Sequence, residues 1–115
     1  MKILIVDDDP SIRMLYKEEL EDEGYDIIVA SSGEEALTLF DEQSPDIVTL
    51  DILMPGMDGI QVLRHMKEKN PKLPVIMSTA YDYRDDFGVW ASEAYIVKSA
   101  DLTQLKETIR KLSEK

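Results

Sequence analysis

Pro45-Asp46-Ile47-Val48-Thr49-Leu50-Asp51-Ile52-Leu53-Met54-Pro55-Gly56-Met57-Asp58-Gly59 is the stretch that decides what kind of chain this is. A largely apolar run, Ile47 to Leu50, stops at a carboxylate. Turn formers follow, Pro55-Gly56 and Asp58-Gly59, before a new apolar pattern opens at Ile60. A short apolar run bounded by turn signals marks a strand buried on both faces. Such a strand hands Asp51 to its carboxyl end, where a loop frees it from the core. Aspartate also ends strands for a plainer reason, because its side chain suits turns. The other strand ends decide between these readings.

Outward from this stretch the pattern repeats in both directions. Ile3-Leu4-Ile5-Val6 is wholly apolar and runs into Asp7-Asp8-Asp9. Asp9-Pro10 has the form of an N-cap with proline at the first helical position. Ile12, Leu15, Tyr16 and Leu20 make a helical stripe, and Gly24 is placed to end that helix. Asp9 is thus explained as a cap; Asp7 and Asp8 are not. Asp26 to Ala30 reads as the second strand. Ser32 and Glu35 have capping-box spacing, with Ala36, Leu37 and Phe40 inward on a helix that closes near Ser44-Pro45.

Beyond the third strand, Ile60, Leu63 and Met66 stripe a helix that stops before Asn70-Pro71. Val75 to Met77 is the fourth strand, left through Ser78 and Thr79. From Ala80 to Ser92 the stripe is poor and Gly88 interrupts it, which predicts a short or irregular fourth helix. Phe87 and Trp90 there read as local packing. Tyr95-Ile96-Val97 is the fifth strand and ends in Lys98. Asp101 with Gln104 caps a fifth helix whose inner face is Leu102, Leu105, Ile109 and Leu112. His65, the single histidine, reads as a solvated helix residue, and the six methionines as core fillers.

A chain of 115 residues is long enough for one domain, 1–115, with a real core. Its 13 Lys and Arg against 24 Asp and Glu leave a formal net charge of −11. That field repels nucleic acid phosphates and anionic membrane surfaces and favours cations and basic partner surfaces. Without cysteine there is no disulfide and no thiolate metal site. The apolar run after Met1-Lys2 is too brief for a signal peptide, and no stretch nears the roughly 20 apolar residues of a membrane span. The expectation is a cytoplasmic protein that binds neither membrane nor nucleic acid directly.

Strands alternating with helices imply an α/β fold, a doubly wound five-stranded parallel sheet with helices on both faces. All strand ends then share one edge, where ligands bind in such folds. Asp7, Asp8, Asp51, Thr79 and Lys98 all arrive there. Crowded carboxylates repel, so a proton or a cation must compensate. Hard oxygen donors suit Mg²⁺; an acidic rim with no ion is the plainer alternative. Lys98 and Thr79 argue against it. They are poor metal ligands but good partners for an anion. A cation beside anion donors describes a phosphoryl site, with Asp51 as nucleophile.

These residues resemble the response-regulator receiver domains of two-component signalling, of the chemotaxis-regulator type. The matching segments are Ile3-Leu4-Ile5-Val6-Asp7-Asp8, Leu50 to Gly59 as quoted, Ser78-Thr79-Ala80 and Tyr95-Ile96-Val97-Lys98. The resemblance covers the whole chain. It implies a (βα)5 flavodoxin-like receiver fold in which Asp51 takes phosphate from a phosphohistidine on a histidine kinase or histidine phosphotransfer protein. It implies Mg²⁺, with Mn²⁺ as a substitute, held by Asp8, Asp51 and the Leu53 carbonyl, and by Asp7 through water. Thr79 and Lys98 would hold the phosphoryl group. Tyr95 matches the switch aromatic that turns inward when the Thr79 hydroxyl moves. The fourth helix, fifth strand and fifth helix would carry the signal, in a monomer or a phosphorylation-dependent dimer.

The chain departs from the family pattern at Ser99, where proline is usual, and at Ser92-Glu93-Ala94 before the aromatic. A cis peptide before a residue other than proline costs about 2.5–4 kcal/mol, so Lys98–Ser99 is expected trans. No output domain follows Lys115, which predicts a stand-alone regulator or an excised receiver. Two other classes compete with a phosphoacceptor switch that catalyses only its own phosphorylation and dephosphorylation. A Mg²⁺-dependent aspartyl-phosphate phosphohydrolase needs a second acid near the nucleophile, and the residue two past Asp51 is Leu53. A pseudo-receiver that never carries phosphate would lack Asp51, Thr79 or Lys98, and all are present.

Overall fold

The computed structural model describes residues 1–51, 59–79, 94–97 and 102–113, with the backbone alone at 78, 79 and 94–97. The strands are β1 (Lys2–Val6), β2 (Asp26–Ala30), β3 (Ile47–Leu50), β4 (Val75–Thr79) and β5 (Ala94–Val97). They form one sheet, parallel throughout, in the order β2-β1-β3-β4-β5. The described helices are α1 (Pro10–Asp22), α2 (Gly33–Gln43), α3 (Gly59–Lys69) and α4 (Thr103–Ser113). The helix expected over 80–92, with Phe87 and Trp90, lies outside the described residues. So do the Asp101 cap and the Lys98–Ser99 peptide.

Local chemistry sets the helix ends. The Asp9 carboxylate accepts from Ser11 N at 2.9 Å, with proline in the first turn. At the other end of α1, Gly24 N donates to Glu21 O at 2.9 Å and Tyr25 N to Leu20 O at 3.3 Å. That pair of bonds is the Schellman arrangement, and it needs a left-handed residue at its centre. Gly24 supplies it at φ +94° without steric penalty. Ser32 Oγ accepts from Glu35 N at 3.2 Å, as the capping-box spacing predicts. The return bond differs: Glu35 Oε1 accepts from Ser31 N at 2.8 Å, one residue earlier than the motif's usual donor.

Alternate strand residues face opposite sides of the sheet, and two cores result. Leu4, Val6, Val48, Leu50, Val75 and Met77 pack under α2 and α3 with Phe40, Leu63 and Met66. Ile3, Ile5, Ile47 and Ile76 pack under α1 and α4 with Tyr16, Leu20, Leu105 and Ile109. This division follows from the strand order. The chain steps one way from β1 to β2, then reverses past β1 to β3 and on to β4, and right-handed crossovers put α1 on one face and α2 and α3 on the other; α4 follows the last strand and packs on the α1 face. The predicted stripes fall in these cores, and α3 adds Val62, fully buried. Met66 and Met77 are core residues, but Met14 is 64% exposed, on the side of α1 away from Tyr16 and Leu20. His65 is exposed. β4 runs to Thr79, two residues past the expected end. Among the described residues no helix is long and apolar enough to cross a membrane.

Lys106 ties the two described helices of the second face together through ion pairs. Lys106 Nζ on α4 donates to Glu19 Oε2 on α1 at 2.8 Å, with Glu23 Oε1 at 3.8 Å. The hydrogen bond to Glu19 raises the Lys106 pKa above its ordinary 10.5, reinforced by the nearby carboxylates and opposed by desolvation. A raised ammonium pKa favours the fold below the unfolded value, and the benefit disappears as pH climbs through the folded one. Lys106→Met should therefore melt below the wild type near neutral pH, with the two curves converging in alkali above 10.5. Burial makes a second expectation. Leu63→Ala, at a fully buried site, should cost about 2–5 kcal/mol in urea unfolding, whereas Met14→Ala should change stability by less than about 0.5 kcal/mol. Equal losses at the two positions would contradict the assigned core.

Candidate functional site

β1 and β3 are neighbours, paired in register from Ile3 with Ile47 to Val6 with Leu50. Their chains leave in opposite directions, β1 towards β2 and β3 towards β4. Diverging connections open a crevice at the carboxyl edge, the topological switch point of an open parallel sheet. Asp7 follows β1 and Asp51 follows β3, so both acids border this crevice. The ladder continues past the strands: Asp7 N donates to Ala30 O at 3.1 Å and Asp51 N to Val6 O at 3.0 Å. The two backbones are therefore held as firmly as strand residues.

Register also decides the faces. Counting by twos, Asp7 falls on the same side as Ile3 and Ile5, and Asp51 on the same side as Ile47. Both carboxylates thus belong to the α1 side of the edge. Asp7 is 2% exposed and Asp51 4%. Asp8, between two anchored residues, is exposed. Carboxylate oxygens of Asp7, Asp8 and Asp51 all lie within 4.8 Å of one another. At an effective dielectric of about 20, two ionised carboxylates at such a distance repel by roughly 3–4 kcal/mol. A divalent cation removes that repulsion, and hard oxygens at this spacing are the donor set that Mg²⁺ takes.

The turn carrying these acids is tightly bonded. Asp9 N donates to Asp7 Oδ1 at 2.9 Å, a side-chain turn that aspartate favours. Asp9 in turn caps α1 through Ser11 N. Arg13, one turn into α1, reaches back to donate from its guanidinium to the Asp7 carbonyl at 2.8 Å. The sequence reading did not single out Arg13. The signal was present in its position: long helical side chains lean towards the N-terminus, over the preceding turn.

Of the residues predicted to form the site, the structure brings Asp7, Asp8 and Asp51 together. Thr79 closes β4, and its backbone pairs with Val97, the last residue of β5, at the same edge. Tyr95 lies within β5, paired with Met77. Leu53 and Lys98 lie outside the described residues; Lys98 follows Val97 in the chain.

This arrangement has close counterparts among known proteins. The response regulator receiver domain family matches residues 3–110. The crystal structure of the response regulator TrrA from Thermotoga maritima, in complex with Mg²⁺-BeF, is 47% identical with a TM-score of 0.93, covering 96% of this chain and 97% of that one. TrrA in complex with the histidine kinase ThkA gives the same identity and coverage, with a TM-score of 0.91. Sporulation initiation phosphotransferase F from Bacillus subtilis is 36% identical over 113 residues, 96% of this chain and 91% of that protein. The chain spans only 35% and 45% of the length of two transcriptional regulatory proteins that it also matches. With a sheet of this order, an acid trio at its switch point and a family match over nearly its full length, this chain belongs to the response regulator receiver domains.

Proposed function

We propose that residues 1–115 form a single receiver domain that works as a phosphoacceptor switch in two-component signalling or a phosphorelay. The observation that carries this reading is Asp51, buried at the end of β3 with the Asp7 and Asp8 carboxylates within 4.8 Å. An Asp51 oxygen attacks the phosphorus of a phosphohistidine on a histidine kinase or histidine phosphotransfer protein. The new O–P bond forms as the N–P bond breaks. The imidazole keeps that electron pair and takes a proton from solvent. The domain thereby promotes its own phosphorylation, and later its hydrolysis, without acting on an outside substrate. We assign the domain to the cytoplasm, where such a partner would present its phosphohistidine. The kinase-bound and Mg²⁺-BeF-bound structures of TrrA support the choice of partner and of ion.

The acid trio fits Mg²⁺, because its oxygens are hard, close together and partly desolvated. Asp8 and Asp51 would hold the ion directly with the Leu53 carbonyl, and Asp7 through water; Mn²⁺ suits the same donors. When bound, the ion neutralises charge gathering on the phosphoryl oxygens. The Thr79 hydroxyl and the Lys98 ammonium serve those same oxygens as donors. Movement of Thr79 towards the phosphoryl group makes room for Tyr95 to turn inward. We assign signalling to the fourth helix expected over 80–92 together with β5 and α4, as the part that changes and meets the downstream target.

Incubation with acetyl phosphate and Mg²⁺, followed by intact mass, should show one phosphate per chain. Asp51→Asn should show none, since an amide is no nucleophile; labelling at the wild-type rate would put the acceptor elsewhere. Lys98→Ala should slow labelling while its metal-free melting curve stays that of the wild type. Mg²⁺ at a hundred times its Kd should stabilise the wild type by about 2.7 kcal/mol, and Asp8→Ala should lose that gain. An unchanged melting temperature in the wild type at saturating Mg²⁺ would remove the ion from the site.

A further inference from the structure

Arg13 has no part in the proposed phosphoryl transfer, yet it makes the one side-chain bond from α1 to the acid turn found among the described residues besides the Asp9 cap. The geometry points to Arg13 as a positioning residue for the cation site. The inference rests on the proposed Mg²⁺ role of Asp7, Asp8 and Asp51. Asp8 is exposed, so packing does little to fix its carboxylate; what fixes it is the backbone on either side. On one side, Asp9 is committed to the helix cap and to Asp7 Oδ1. On the other, Asp7 is tied by its N–H to Ala30 O and by its carbonyl to Arg13. That carbonyl belongs to the Asp7–Asp8 peptide. Its orientation therefore sets the direction in which Asp8 leaves the turn. Without the guanidinium that peptide loses a bond that fixes its tilt, and Asp8 samples positions further from Asp7 and Asp51.

Two effects of Arg13 oppose each other. As a hydrogen-bond donor it preorganises the acids and strengthens cation binding. As a positive charge near the site it repels a cation. Removing it weakens Mg²⁺ binding if positioning dominates and tightens it if charge dominates. Positioning dominates here, because the bond is short, 2.8 Å, and partly buried. The charge is shared with a strongly acidic surface of net charge −11 and screened by salt. Lys17, one helical turn further on and exposed, carries the same charge and makes no hydrogen bond to the acid turn. It separates the two effects.

The test is calorimetric titration of Mg²⁺ into the metal-free protein at constant ionic strength. Arg13→Ala should bind about tenfold more weakly than the wild type, the scale on which partners behind a metal's ligands act. Arg13→Lys, which keeps a charged donor on a long stem, should recover most of the affinity, and Lys17→Ala should bind as the wild type does. Should Arg13→Ala fail to fold without metal, Arg13→Gln, shorter and uncharged, is expected to show the same weakening. Wild-type or tighter binding in the Arg13 variant that folds would overturn the positioning role. An equal loss in Lys17→Ala would overturn it too, by assigning the effect to net charge. Asp8→Ala in the same titration keeps the two readings apart. If it loses Mg²⁺ while Arg13→Ala does not, the cation site stands and the role of Arg13 falls. If the wild type itself takes up no Mg²⁺, the cation site falls.

Discussion

The pairing of β1 with β3 is the constraint on which the rest depends. Val6 stands beside Leu50, and the ladder goes one residue further, with Asp51 N donating to Val6 O at 3.0 Å. Because side chains alternate with period two, this register puts Asp7 and Asp51 on one side of the sheet at adjacent strand ends. A slip of one residue would send Asp51 to the opposite face. It would also turn Ile47 and Thr49 out of one core and Val48 and Leu50 out of the other. The apolar packing of both faces therefore enforces the proximity of the two acids. Like charges are held together by the packing of the apolar residues that precede them in the two strands.

That arrangement has an electrostatic cost, and the turn after β1 carries two of the three charges. Three consecutive aspartates have three different environments. Asp7 is buried and accepts from Asp9 N, Asp8 faces solvent at the mouth of the crevice, and Asp9 caps α1. The cap offsets part of the charge, since carboxylates are favoured at a helix N-terminus. Arg13 brings a positive charge to the same turn. Asp51 joins Asp7 and Asp8 from β3, so three carboxylates lie within 4.8 Å of one another. Hard oxygens gathered this closely suit a divalent cation, and such a cation in turn favours a phosphoryl group.

The face of the sheet that carries the acids is also the face under α1 and α4. Ile5 and Ile76 belong to the same core as Tyr16, Leu105 and Ile109, and Lys106 joins α4 to Glu19 on α1. α1 begins at the acid turn, and α4 belongs to the surface assigned to signalling. Both helices thus rest on one packed layer. Packed layers shift as bodies rather than deform smoothly, so a change at the acid edge has a rigid medium through which to act.

Much of this was legible in the sequence. Caps at Asp9 and Ser32, the stop at Gly24, the apolar stripes of the helices and the strand runs all rest on neighbours within four or five residues, and short-range chemistry can be read from a short window. The candidate acids were legible for the same reason, as charges left over once local roles had been assigned. Other features depended on contacts between distant segments. The extra length of β4 to Thr79 came from its pairing with β5. The exposure of Met14 came from where α1 lies on the sheet. The bond from Arg13 required the turn to fold back beneath it. Above all, the sequence by itself determined that β1 and β3 each end in acid, but only the tertiary structure decided that they are neighbours in register. Strand order is chosen by how two apolar faces are covered at once, and no single stretch of the chain contains that information.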